Sequence, residues 1–284
     1  MSKENSTKNI RTAFFLNLAF AFVELIGGII TNSVAILSDA VHDFGDSISL
    51  AVAWALQKKS NKAKDDKYSY GYKRFSLLSS VILSGILLVG SILILVEAIG
   101  RLFNPQEVNA QGMLWLAILG IIVNGLAALS VKRGKTLNER AVFLHIMEDV
   151  LGWIGVLVIS IVMIFANLPI LDPILSISIT IWVLYNVYKN LKATFNILLQ
   201  AFPKNVDVKK LTKEIEAIDN VISIHDLHIW TQDGLSHVMT LHIVAEKNYE
   251  TIKLKVRGIA KTFNIDHVTI ELEDKYSSCE EKLN

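Results

Sequence analysis

Two histidine–aspartate pairs of equal spacing carry the first chemical signal in this sequence. His42 precedes Asp46 and His145 precedes Asp149, each by four residues, and both pairs lie inside long apolar stretches. On a helix, residues i and i+4 share a face and sit about 6 Å apart along the axis. Each pair therefore aims an imidazole and a carboxylate in one direction. Asp39, His42, Asp43 and Asp46 together trace an i, i+3, i+4, i+7 stripe. Ionisable groups at membrane depth are costly and concentrate in pathways and binding sites. A purely structural carboxylate cluster would incur that desolvation repeatedly for no gain. Two imidazoles and two carboxylates make a four-donor set suited to tetrahedral Zn²⁺, with Cd²⁺ and Co²⁺ as competitors.

The same donors suit an ion that must leave again. Thiolates, which would hold the metal too tightly for easy release, are missing from the set. Metal ligation needs deprotonated donors, so metal and protons compete for the same atoms. Histidine, with an unperturbed pKa of about 6.5, is well placed for that exchange. The chemistry predicts a transporter that works by proton-coupled antiport. Asp39 and Asp43 either orient His42 by hydrogen bonding or line a watery approach. Glu148 points about 100° away from Asp149 on a helix and is expected at a helix interface or a cavity mouth. Glu24 and Glu97 are read as proton relays or as structural hydrogen-bonding residues near helix ends, and Asn17 and Asn124 as interhelical contacts.

Long apolar helices must position these residues. The chain has 284 residues, of which 52% are hydrophobic, and a mean hydropathy of +0.43. The apolar residues collect between about 11 and 200. Six spans are predicted, near 11–31, 34–57, 76–99, 112–131, 141–166 and 173–192, each close to the roughly 20 residues a bilayer needs. Thr31-Asn32-Ser33 makes the first connection a tight hairpin. The run after the polar residues 1–10 has no well-placed small-residue cleavage site, Ala19-Phe20-Ala21 falling too early, so it reads as a first span and not as a signal peptide.

Basic residues collect in alternate loops. Lys3, Lys8 and Arg11 precede the first span. Lys58, Lys59, Lys62, Lys64, Lys67, Lys73 and Arg74 follow the second, and Lys132, Arg133, Lys135 and Arg140 follow the fourth; the opposite loops offer Arg101 alone. Positive charge stays inside, which predicts a multi-pass protein of the plasma membrane with both termini cytoplasmic. The formal net charge of +1 gives no electrostatic case for nucleic acid, and the single cysteine, Cys279, excludes an intramolecular disulfide framework.

The pattern changes at Pro203. Residues 207–218 carry apolar positions at helical spacing, 221–231 alternate as a strand, and Asp233-Gly234 signals a hairpin. A returning strand at 236–246, a helix at 248–263 and a strand at 267–274 follow. The expected organisation is a cytosolic segment 1–10, a six-helix transport domain 11–202, and a C-terminal domain 203–284. The last is an α+β ferredoxin-like sheet with helices on one face. At about 80 residues its own core is marginal, and dimerisation through it would be a remedy.

These residues resemble the cation diffusion facilitator family over nearly the whole chain. Ser38-Asp39-Ala40-Val41-His42-Asp43-Phe44-Gly45-Asp46 is similar to the second-helix motif, Tyr70-Gly71-Tyr72-Lys73-Arg74 to the start of the third helix, and Glu97 to Arg101 with Pro105 to its end. Leu144-His145-Ile146-Met147-Glu148-Asp149, Asp172-Pro173-Ile174-Leu175-Ser176, His225-Asp226-Leu227-His228-Ile229-Trp230 and His267-Val268-Thr269-Ile270 match further on. The resemblance implies a homodimer in a lipid bilayer that exports divalent metal against protons by alternating access and confers metal tolerance. By position it makes His42, Asp46, His145 and Asp149 the transport ligands, with His at the first of them going with zinc over cadmium. It puts Leu144 at an apolar gate. It makes Arg74 and Asp207 a charge pair joining the third helix to the cytosolic domain. It places cytosolic Zn²⁺ ligands at His225, His242 and Glu273, with Glu271 a further candidate. His237 reads as an ordinary polar surface residue, and Cys279 as either an added ligand or a free thiol. Tyr68 and Tyr72 stand where some members carry metal-binding histidine between helices 2 and 3. The short basic stretch from Lys132 to Arg140 replaces the His-rich loop of eukaryotic members.

Other classes fit less well. An intramembrane zinc hydrolase would need a general base beside an open metal, as in His-Glu-x-x-His, and a nucleotide-driven pump would need a glycine-rich phosphate loop; the sequence has neither. A metal-sensing receptor would not need ligands buried in two separate spans.

Overall fold

The computed structural model describes residues 3–131 and 137–275. Within these, the side chains of 3–14, 16–17, 49–50, 53–54, 57, 130–131, 137–142 and 144–145 fall outside the description. Six long helices come first: α1 (Lys3–Thr31), α2 (Val34–Ser60), α3 (Phe75–Phe103), α4 (Ala110–Val131), α5 (Leu137–Ala166) and α6 (Leu171–Leu198). Among the described residues, Phe75–Phe103, Ala110–Leu129, Ile146–Ala166 and Leu171–Leu198 are long and apolar enough to cross a bilayer, and Leu18–Thr31 is a shorter apolar stretch. The first half of α2 carries Asp39, Asp43 and Asp46, which makes it less apolar than α3, α4 and α5. The helices present leucine, tryptophan and phenylalanine outward, for example Leu93, Trp115, Leu151 and Phe165. Large outward apolar surface is what a lipid-facing bundle requires.

The chain divides into two compact units, Met1–Leu56 with Leu78–Leu191 and Gln57–Leu77 with Lys192–Asn284. In the first, α1, α4 and α5 share a core in which Phe20 meets the Trp153 indole edge-on at 5.6 Å. Gly120 of α4 lies directly beneath the Trp153 ring, where a Cβ would collide with it. The turn between α1 and α2 is the best-anchored point of this unit. Asn32 adopts φ 55°, a left-handed conformation that asparagine tolerates. Arg101, at the end of α3, donates to the Asn32 carbonyl at 2.6 Å and to its Oδ1 at 2.9 Å. Asp172, fully buried at the start of α6, accepts from Ser33 Oγ at 2.5 Å, Val34 N at 2.8 Å and Ala35 N at 3.3 Å. A helix N-terminus leaves its first N–H groups without partners; here a carboxylate from another helix supplies them, which also fixes the start of α2 beside the start of α6.

The second unit contains α7 (Val208–Glu216), β1 (Val221–Thr231), β2 (His237–Ala245), α8 (Tyr249–Thr262) and β3 (Ile265–Glu273). The strand order is β1-β2-β3, with β1 and β2 antiparallel and β2 and β3 parallel through the α8 crossover. The helix–strand–strand–helix–strand order is the one the periodicity predicts. Leu211 and Ile215 of α7 and Ile252, Val256 and Ala260 of α8 pack on Ile229, Met239, Leu241 and Ile243 of the sheet. Gly234, at φ 90°, closes the β1–β2 hairpin where an L side chain would be strained.

Residues 57–77 belong to this same unit. Tyr70 packs edge-on against Trp230 and His267, and Lys73 Nζ donates to Ser236 Oγ at 2.7 Å. Tyr68, Tyr72 and Phe75 form an aromatic cluster with Lys59 and Lys62 over its faces. Asp65 is held by Lys62 Nζ and Tyr72 Oη, which keep its carboxyl well below the usual carboxylate range. The tyrosines that replace histidine here serve packing.

Candidate metal centres

The membrane unit holds a cavity of about 640 Å³ between α2, α3, α5 and α6. Asp39, His42 and Asp46 enter it from α2, and Glu148 and Asp149 from α5. His42 Nε2 lies 3.7 Å from Asp46 Oδ2, one helical turn on. Donor atoms of His42, Asp43 and Asp149 lie within 4.8 Å of one another. Zinc–ligand bonds of about 2.0–2.2 Å put donors a little over 3 Å apart around a tetrahedral ion, so these groups need only small movements to close on one. Asp43 Oδ1 is buried with no hydrogen-bond partner among the described residues. A buried carboxylate oxygen left open in this way suits a cation as its missing partner.

Asp46 and Asp149 thus face the same cavity. The side chains of His145 and Leu144 lie outside the described residues; the backbone puts His145 one turn before Asp149 on α5. Asp43, read from the sequence as an orienting residue or a lining residue, sits among the donors. Glu148 is exposed in the cavity wall, in keeping with a mouth residue. Glu97 accepts from Arg101 Nε at 2.8 Å, which is a structural task. Glu24 is fully buried with Asp39, Asp149 and the Trp153 indole as its electrostatic neighbours. Asn124 is buried, with Nδ2 unpartnered among the described residues. The Asn17 side chain lies outside them.

A second cluster lies on the sheet face away from the helices. His225 of β1 is in register with His242 of β2, which is in register with Glu271 of β3. Donor atoms of His225, His242 and Glu273 lie within 4.8 Å of one another. Glu273 Oε1 is 2.7 Å from His242 Nδ1 and 3.5 Å from His225 Nε2. Glu271 Oε2 is 3.7 Å from His242 Nε2. Sequence reasoning missed Asp226. It takes φ 48° at a bulge between His225 and His228, which brings Oδ2 to 3.6 Å from His242 Nε2 and Oδ1 to 2.9 Å from His228 Nε2. A bulge breaks the strict alternation on which strand reasoning rests, so period-2 counting had no means of finding it.

Two expectations are corrected here. His237 is not a surface residue. It is fully buried, with Nε2 3.0 Å from Asn205 Nδ2, and burial pushes its pKa down. The cause is position: β2 is the central strand, and His237 shares the inward parity of Met239, Leu241 and Ile243, a signal that was readable from the sequence. Arg74 and Asp207 form no ion pair among the described residues. Asp207 instead caps α7, accepting from Lys210 N at 3.0 Å. Within the same unit, Tyr70 and Lys73 pack on the sheet. Cys279 lies outside the described residues.

Six long helices, four of them apolar enough among the described residues to cross a bilayer, hold a cavity of carboxylates and imidazole, and a small mixed sheet follows in sequence; this is the architecture of a metal-cation carrier of the membrane. Residues 10–199 match the family model of the cation efflux transmembrane domain, and residues 203–275 that of the cation efflux protein cytoplasmic domain. The chain belongs to the cation efflux, or cation diffusion facilitator, family. It is a membrane transporter and not an enzyme. It is 36% identical over 275 residues to the cadmium, cobalt and zinc/H(+)-K(+) antiporter of Bacillus subtilis, covering 94% of this chain and 88% of that one. It is 33% identical over 272 residues to the metal cation efflux system protein CzcD of Cupriavidus metallidurans, covering 94% and 86%. It is 32% identical over 285 residues to the zinc transporter ZitB of Yersinia pseudotuberculosis, covering 98% and 90%.

Proposed function

We propose that this chain exports Zn²⁺ from the cytoplasm in exchange for protons by alternating access, with His42, Asp46, His145 and Asp149 as transport ligands and Asp43 beside them. The observation that carries this reading is the convergence of His42, Asp46 and Asp149 on one cavity. Zinc and protons compete for the same imidazole and carboxylate atoms. On the acidic side protonation expels the metal; on the cytoplasmic side the metal expels protons. The metals named for the relatives support zinc as cargo, with cadmium and cobalt as competitors. In proteoliposomes, an inward-acid pH gradient drives zinc uptake by the parent, and Asp46→Ala and Asp149→Ala each abolish it. Zinc flux indifferent to both the pH gradient and these substitutions would contradict the reading. A potassium gradient imposed at constant pH separates K⁺ coupling from H⁺ coupling.

The chain works as a homodimer whose cytosolic domain, residues 203–284, binds zinc through His225, His242 and Glu273, flanked by Glu271 and Asp226. The cytoplasmic-domain family match supports dimerisation. Metal shared among these donors replaces their mutual contacts and draws the two copies together. Zinc therefore increases cross-linking between protomers in the parent and not in His242→Ala. The alternating basic loops support cytoplasmic termini. An impermeant maleimide labels Cys279 in inverted vesicles and not in intact cells if this orientation is right.

A further inference from the structure

The cavity that holds the metal donors is not uniform along its length. On α6 its wall is mostly apolar near the start, with Leu175, Ile179 and Val183, and becomes amide-lined further on, with Asn186 and Asn190. These two asparagines lie one turn apart on one face. Asn190 bridges to α3: its Oδ1 accepts from Ser80 Oγ at 3.2 Å and its Nδ2 donates to Ser84 Oγ at 3.2 Å. Ser84 also lines the cavity and is 1% exposed. Polar side chains within a span face protein or a water-filled cavity, not lipid.

The position of this polar stretch follows from the Asp172 cap, which sets the starts of α2 and α6 side by side. Ser38 Oγ of α2 lies 3.2 Å from Thr180 Oγ1 of α6, so His42, one turn further down α2, lies level with about residue 184 of α6. Asn186 and Asn190 then lie about 3 and 9 Å further along, on either side of the level of Asp46. They sit towards the end of the bundle where α3 begins and α6 finishes, the end that carries the basic loop 57–77.

We propose that Asn186, Asn190 and Ser84 form the approach by which the hydrated metal ion reaches the His42–Asp46–Asp149 cluster. Amide and hydroxyl oxygens replace hydration waters without adding charge. A neutral path admits a divalent ion but gives it no deep well in which to stall, which is what conduction between sites requires. The ionisable side chains of the cavity come from α2 and α5, as Asp39, His42, Asp46, Glu148 and Asp149, and not from the α3 and α6 wall. This inference rests on the cluster being the transport site.

The test separates the two. In a His225→Ala/His242→Ala background, which leaves the membrane site as the one under study, zinc flux into proteoliposomes is measured at subsaturating and saturating zinc. Equilibrium zinc affinity is measured on the purified full chain. Asn190→Leu is expected to raise the apparent KM several-fold with equilibrium affinity unchanged, because slowing arrival and departure together alters KM and not Kd. Asn190→Gln is expected to restore most of the loss. Ser84→Ala, which removes one oxygen at little cost in volume, is expected to raise KM in the same sense should the leucine variant fail to fold. A parental KM in Asn190→Leu and Ser84→Ala, a Kd that weakens in step with KM, or a glutamine variant as impaired as the leucine one would overturn the proposal. Retained flux in Asp149→Ala would instead overturn the site on which it rests.

Discussion

His42 has one carboxylate neighbour a helical turn away, Asp46, and shares a donor cluster with Asp43 and with Asp149 of another helix. An imidazole in such company is a good donor to a borderline metal such as zinc. Replacing it with a fourth carboxylate removes a single directional nitrogen donor and adds a group that can bind through both oxygens, which relaxes the tetrahedral constraint and admits the larger ion, so His42→Asp is expected to transport zinc still but with a lower zinc-to-cadmium flux ratio, read by competition between the two ions in proteoliposomes. His237 shows the opposite environment: a buried ring without a carboxylate in hydrogen-bond contact. Its folded pKa lies below the unfolded value of 6.5 because burial penalises the charged ring. The unfolded chain therefore takes up its proton first as pH falls. Stability is unaffected well above 6.5 and is lost as pH drops below it, until the folded-state pKa is also passed. Hydrogen exchange on the full chain should show β2 amides losing protection between neutral pH and about 5.5, and His237→Gln should flatten that dependence. His42, Asp46 and Asp149 were legible because packing alone gives apolar sequence no reason to repeat an ionisable pair at one spacing. Asp226 was not, because its role comes from a local left-handed backbone and not from its spacing.

At the scale of elements, the six helices and the order of the tail follow from hydropathy and periodicity, since each element must bury one face or meet lipid. What holds the elements in register was less legible. The Asp172 carboxylate completes the N-terminus of α2 from α6, and Arg101 completes the preceding turn from α3. Both contacts span about 70 residues or more of sequence, which no local pattern encodes. Asp172→Ala strands the Ser33 hydroxyl and two buried N–H groups, and should cost about 1–3 kcal/mol, seen as a lower melting temperature in detergent and a parallel loss of transport. The α4–α5 contact makes a comparable demand. Gly120→Val drives a branched side chain into the Trp153 ring and should destabilise by about 1–3 kcal/mol through overpacking; Trp153→Ala added to it should recover part of that loss, as expected of coupled neighbours. The Arg74–Asp207 pair suggested by resemblance does not form among the described residues, and the packing of Tyr70 and Lys73 on the sheet joins sequence segments too far apart for a local pattern to show.

At the scale of the whole molecule, an exporter must let two ions use one site in turn. Carboxylates and imidazole in a cavity provide this, because metal binding and protonation are exclusive at each donor atom. In the tail, donor atoms of His225, His242 and Glu273 lie within 4.8 Å of one another, the spacing on which the proposal of a second zinc position rests. The claim beneath all of this is that donors from α2 and α5 grip a single ion. Zinc binding to the purified full chain, with the cytosolic ligands removed by His225→Ala/His242→Ala, tests it most directly. The account predicts a bound zinc per protomer that is lost on adding either Asp46→Ala or Asp149→Ala, and an X-ray absorption spectrum showing mixed nitrogen and oxygen neighbours at about 2.0–2.2 Å. Parental affinity and stoichiometry in both variants would contradict it.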